Sequence, residues 1–158
     1  MNKPFFFFGI WALLLTGSVS AQSKADTLKY CIKEGIGVGG YDPVNYFESQ
    51  TATQGKIEYE LAFESVKYRF VSEDNRKKFE KTPFKYLPQF GGWCSMTLAM
   101  GRATTPKYDN FAIISGKLYL FERTVSVNGK ELWLKSPEAN ENVAKKNYKA
   151  YSSSGQIK

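Results

Sequence analysis

Histidine is absent from all 158 residues. Imidazole is the commonest metal ligand and general base, so zinc hydrolases and histidine-based triads or dyads are excluded. Cysteine is scarce, with Cys31 and Cys94 only. Basic residues form no long block: the excess of 22 Lys and Arg over 15 Asp and Glu is interspersed, as in Glu73-Asp74-Asn75-Arg76-Lys77-Lys78. That is the pattern of a solvated mixed-charge face, and no nucleic-acid partner is expected. Internal repeats, low-complexity linkers and signs of a second domain are also missing. Past the first apolar run, no segment approaches the roughly 20 apolar residues that a spanning helix needs.

That first run is the signature of an export leader. Lys3 supplies a positive start, Phe5 to Leu15 the apolar stretch, and Val19-Ser20-Ala21 the small residues of a cleavage site. Residues 1–21 therefore read as a signal peptide cut near Ala21, and the mature chain as periplasmic or secreted. The net charge of +7 falls by one when Lys3 leaves. In an exported chain two cysteines raise the question of a disulfide. A Cys31–Cys94 bridge would close a loop of about 60 residues and contribute roughly 4 kcal/mol on a loop-entropy model. An even count does not bring the two together, and free thiols are the other state.

The organising stretch is Phe90-Gly91-Gly92-Trp93-Cys94-Ser95-Met96. Two glycines permit left-handed backbone, and the run to Gly101 reads as a helix with Cys94 at its start. Free N–H groups there favour a thiolate. Thiolate and thioether ligands select Cu(I), so Cys94 with Met96 and Met100 forms a candidate soft-metal set. On an ideal helix Met96 and Met100 share a face while Cys94 lies about 160° from Met96. Joining the three takes a distorted first turn or a ligand such as Cys31. The plainer reading makes both methionines and Cys94 core residues. A catalytic thiol would need a base, and Asp42, Glu64, Glu73 or a lysine stand in no recognised spacing.

Along the chain, Leu28 to Ile32 is expected as a strand, and Gly35, Gly37, Gly39 and Gly40 as packing glycines, since no amphipathic helix follows to aim N–H groups at an anion. Pro43 starts a short helix or turn that carries Tyr46 and Phe47 inward. Ile57, Tyr59 and Leu61, then Val66, Tyr68 and Phe70, alternate on either side of Phe63-Glu64-Ser65 and predict a hairpin with these residues inward. Ser72 caps a helix to about Lys81 with Phe79 buried, Pro83 stops it, and the aromatics of Phe84 to Pro88 pack back. A second hairpin turns at Ser115-Gly116. Residues 124–134 read either as a third hairpin or as a helix with Val125, Leu132 and Trp133 inward. Pro137 to Tyr151 reads as a helix packing through Val143 and Tyr148. These elements make a small single α+β domain of antiparallel hairpins and short helices. Tyr41, Asp42, Pro43 and Tyr46, with Gly91, Gly92 and Trp93, form a candidate pocket between the Asp42-Pro43 loop and the glycine hinge. Aromatics such as Tyr68 and Phe90 fit it to an apolar or planar ligand.

Gly40-Tyr41-Asp42-Pro43-Val44-Asn45-Tyr46-Phe47, Tyr68-Arg69-Phe70-Val71-Ser72 with Phe79, Pro83 and Tyr86-Leu87, then Gly91-Gly92-Trp93-Cys94 and Gly116-Lys117-Leu118-Tyr119-Leu120, together resemble the YHS domain in its longer, exported bacterial form. The resemblance runs from about Gly37 to Tyr148. It divides the chain into the leader, an N-terminal segment over 22–36, a YHS-like domain over 37–151 and a flexible tail over 152–158. The family is associated with soft-metal binding, but its short metal-associated members carry cysteines where this chain has Asn45, Val71 and Asn75, so that ligand set does not carry over. None of the three is a thiolate ligand. The expectation is thus an exported binding or accessory module without catalysis, with weak Cu(I) binding at Cys94 as the specific reading. A structural or small apolar-ligand-binding module, and behind it a thiol-dependent enzyme, are the alternatives.

Overall fold

Residues 24–157 are described by the computed structural model; the leader expected over residues 1–21 and its cleavage point lie outside them. The first element is helical, α1 (Lys24–Lys29), where a strand was expected from Leu28, and only Ile32 enters a strand, β1 (Ile32–Lys33). Tertiary bonds override the local pattern. The Leu28 carbonyl accepts Trp93 Nε1–H at 3.1 Å and the Lys29 carbonyl accepts the Tyr148 hydroxyl at 2.8 Å. β1 turns at Glu34-Gly35 into β2 (Ile36–Gly37). A 3-10 turn, Val38–Gly40, then passes so close to Tyr108 that a Cβ on Gly39 would lie 2.2 Å from its ring. The glycine here serves packing, as expected.

The short helix α2 (Asn45–Glu48) buries Tyr46. β3 (Lys56–Phe63) and β4 (Val66–Phe70) form the first predicted hairpin, and the sheet order is β1-β2-β4-β3, with β2 and β4 parallel. Val66, Tyr68 and Phe70 are inward. The expectation fails at Ile57, which is 67% exposed: an irregularity between Lys56 and Glu60 shifts the register and turns that side chain out. Ser72 Oγ accepts the Asn75 N–H at 3.3 Å and caps α3 (Glu73–Lys81), which buries Phe79. Pro83 ends it and opens α4 (Pro83–Tyr86). Tyr86 packs back, whereas Phe84 stays 74% exposed and meets Phe63 edge-on.

After α5 (Ser95–Ala99), the second hairpin forms about Ser115-Gly116 from β5 (Lys107–Ile114) and β6 (Lys117–Phe121), as its own two-stranded sheet. β6 is buried on both faces. Leu118 and Leu120 join a core with Val44, Tyr46, Val66, Tyr68, Phe70 and Phe79, while Tyr119 and Phe121 join a second with Phe90, Leu98, Trp133 and Ala144. The ambiguous stretch resolves as a helix, α6 (Gly129–Leu134), because Asn128 Oδ1 accepts the Lys130 N–H at 3.1 Å and so caps it. Trp133 is inward as expected, and Val125, ahead of the helix, is fully exposed instead.

The last helix, α7 (Pro137–Ser154), outruns the predicted Tyr151 end and presents a different face. Val143 is 46% exposed, and the buried positions are Ala144 and Asn147, whose amide donates to the Leu98 carbonyl at 2.7 Å. Over the described part of the expected tail, residues 152–157, Gly155 ends the helix in left-handed backbone and Ile157 packs against the second core. Seven helices and two sheets thus make one α+β domain among the described residues, and none of its helices is long and apolar enough to cross a membrane.

Candidate functional site

Cys94 is the N-cap of α5, as its sequence position suggested, and it is fully buried. Its Sγ accepts the Glu122 N–H at 3.1 Å and the Thr97 N–H at 3.5 Å, while its own N–H donates to the Thr104 carbonyl at 3.0 Å. The sulfur therefore ties α5 to the residue after β6. Met96 and Met100 both line a groove of about 340 Å³ with Val127 and Leu132, but Cys94 does not line it. Met100 is 54% exposed there, against the reading of both methionines as core. No group of three or more Cys, Asp or Glu that could hold a metal occurs among the described residues.

Cys31 and Cys94 are both buried and both free, so the bridge is not formed. Each sulfur is engaged elsewhere: Cys31 Sγ donates to Thr105 Oγ1 at 3.8 Å and lies 4.0 Å from the Tyr108 hydroxyl. Burial pushes the Cys31 thiol up. Cys94→Ala is expected to cost about 1–3 kcal/mol, since two N–H groups lose their acceptor, and both native thiols should resist a thiol reagent until the protein unfolds. Rapid native labelling at neutral pH would contradict this placement.

The pocket expected between the Asp42-Pro43 loop and the hinge is filled. Tyr108 packs on Tyr41 at 5.8 Å between ring centroids, its hydroxyl reaches Cys31, and the Cys31 N–H donates to the Gly91 carbonyl at 2.9 Å. Tyr46 is committed too, donating to the Tyr108 carbonyl at 2.8 Å, and Trp93 donates to Leu28. Asp42 and Pro43 are buried. Asp42 Oδ1 accepts the Val44 and Asn45 N–H groups at 2.8 and 3.3 Å, and Oδ2 accepts the Val71 N–H at 2.8 Å and the Asn75 amide at 2.7 Å. With both oxygens occupied, this carboxylate locks the loop, β4 and α3 together and offers nothing to a ligand.

The cleft lies on the other side of the hinge. Tyr30, Tyr68, Phe90 and Tyr148 wall a cavity of about 230 Å³, joined by Gly91, Leu87 and Pro88 and by the polar Lys29, Glu64 and Gln89. Three elements place these groups. The end of α1 brings Lys29 and Tyr30, the β3–β4 turn brings Glu64, and α7 brings Tyr148. Beside them Phe90 and Gly91 take left-handed φ of 55° and 61°; for a bulky residue such as Phe90 that is a strained conformation. The Tyr30 hydroxyl donates to Glu64 Oε2, and Lys29 Nζ lies 3.3 Å from the same oxygen. The Tyr30 hydroxyl bond holds the Glu64 carboxyl below its usual range, while burial and that carboxylate push the Tyr30 phenol up. Burial pushes Tyr148 up to about 12. The phenols stay neutral near pH 7, with one carboxylate and one ammonium at the mouth.

Tyr68, Phe90 and Gly91 were legible as pocket candidates, whereas Lys29, Tyr30, Glu64, Gln89 and Tyr148 were not. The only sequence signal for the rest is the hinge itself, which must bend the chain against something. No family model, curated protein or solved structure matches the chain.

Proposed function

We propose that this chain is an exported YHS-type binding module, without catalytic turnover, that takes a small planar ligand in the cleft beside Gly91. The observation that carries the reading is the convergence of four aromatic side chains with Lys29, Glu64 and Gln89 around one cavity at a strained hinge. An apolar cleft with a few convergent polar groups is the usual form of a small-ligand site. A flat ring with one polar substituent suits it: the ring against Tyr68 and Phe90, the substituent toward Lys29 or Gln89.

The YHS reading draws support from Asn45, Val71 and Asn75. The three positions where short metal-associated members carry cysteine come together around Asp42, with Asn75 also donating to Asn45 Oδ1 at 3.1 Å. The donor set does not fit a soft metal there, since amides and a saturated carboxylate replace thiolates. Cu(I) at Cys94 has less support than the cleft, because the sulfur would have to give up two N–H donors and reach Met96 and Met100 in a groove it does not line.

Titration with 4-nitrophenol and benzoate, followed by NMR, tests the reading. Saturable shifts confined to Tyr30, Tyr68, Gln89 and Tyr148 are expected, with dissociation constants on the order of 1 mM for ligands of this size. Leu87→Trp should fill the cleft and abolish them while leaving the fold intact. Unchanged cleft resonances, or equal binding by Leu87→Trp, would rule the site out.

A further inference from the structure

A third cavity, of about 310 Å³, opens where the turn of the second hairpin meets the start of α7. Ile114, Ser115, Tyr119, Trp133, Pro137, Glu138 and Glu141 line it. Trp133 is 1% exposed, and its indole Nε1–H has no hydrogen-bond acceptor among the described residues. A buried donor without a partner destabilises the fold, and native proteins seldom leave one. Trp93 shows the ordinary solution, donating to a carbonyl.

The charged residues of this wall are both acidic. Glu141 takes Lys117 at 2.9 Å and Lys145 at 2.8 Å, and these two ammonium groups hold its carboxyl down at about 2. Glu138 has no ion-pair partner among the described residues. The remaining wall is aromatic and apolar, with Tyr119 and Trp133 at 5.2 Å between centroids. Aromatic rings beside carboxylates attract an organic cation through ring quadrupole and charge together. An indole N–H left over asks for an oxygen on the same molecule.

We infer that this cavity binds a small organic ammonium compound carrying a hydroxyl or carbonyl oxygen. The cation lies among Tyr119, Trp133 and Glu138, and the oxygen accepts the Trp133 N–H. This site is separate from the cleft beside Gly91 and does not depend on a ligand there.

Choline, tetramethylammonium and sodium chloride at matched ionic strength make the test, with the Trp133 indole N–H and the Tyr119 ring followed by NMR in the full chain. Choline should shift the indole resonance saturably at millimolar concentration, and tetramethylammonium, which lacks the oxygen, should bind more weakly. Glu138→Gln, an exposed change that leaves the fold alone, should weaken choline by a factor of roughly three to ten. Trp133→Phe, which keeps a ring and removes the donor, should erase the preference for choline over tetramethylammonium. A response to choline no greater than to sodium chloride would overturn the proposal, as would Glu138→Gln binding choline like the parent protein.

Discussion

Asp42→Ala is expected to be the most damaging single substitution outside the large core side chains. The carboxylate is fully buried and accepts from three backbone N–H groups and the Asn75 amide. Alanine leaves those donors in a dry site, at about 1–3 kcal/mol each where no water replaces the oxygen. A loss of about 4 kcal/mol or more is expected, against total stabilities of about 5–15 kcal/mol for domains in general. The midpoint of thermal unfolding should then fall by roughly 10–20 °C. Asp42→Asn keeps one acceptor oxygen and should lose less; Asn75→Ala, which removes one donor of the four, less again. Circular-dichroism melts of the three variants check the order. An Asp42→Ala protein within about 1 kcal/mol of the parent would show that the loop is held by packing alone.

Gly91→Ala should come next, through geometry. A Cβ at this position would lie 2.0 Å from the Lys29 carbonyl oxygen and 3.0 Å from the Tyr148 hydroxyl, on a backbone with φ of 61°. The oxygen is main chain and does not swing aside as a flexible side chain would. Accommodation must therefore push the end of α1 away and break the Tyr148–Lys29 and Cys31–Gly91 hydrogen bonds. About 3 kcal/mol is expected from the two bonds and the left-handed strain together, with planar probes losing their binding at the same time. Gly101→Ala is the control: its φ is 80°, but no atom of the described residues beyond its chain neighbours lies within 4 Å of the added Cβ. Backbone strain alone should cost it about 1 kcal/mol. If both variants melt together, crowding at the hinge is not what the glycine relieves.

Elements whose signals are local were readable in the sequence. The Ser72 cap, the proline stop at Pro83, the two hairpin turns and the Cys94 helix start each depend on a few adjacent residues. Readings failed where a distant partner decides. Leu28 is claimed by Trp93, and Ile57 is displaced by a register shift that alternation does not announce. Val143 yields the inner face of α7 to Ala144, next to Asn147, because Asn147 reaches the Leu98 carbonyl. The candidate pocket failed for the same reason. Nothing near Asp42 or Gly91 in the chain reveals that Tyr108 and Cys31 fill the space between them. The cavity that borders Gly91 lies instead among Tyr30, Tyr68, Phe90 and Tyr148, on the side of α1 and α7.

The burial of β6 on both faces bears on cooperativity. Each core borrows a wall from that strand, and the first also draws most of its members from before the hinge, the second from after it. Neither can open without exposing the other, so melting should proceed as one transition with no half-folded plateau. A break at Gly101 would leave a front fragment without Leu118 and Leu120 and a rear fragment without Phe90 and Leu98. Neither fragment has a closed core alone, and mixing the two should restore structure, with β6 of the rear fragment supplying the wall that the front fragment lacks.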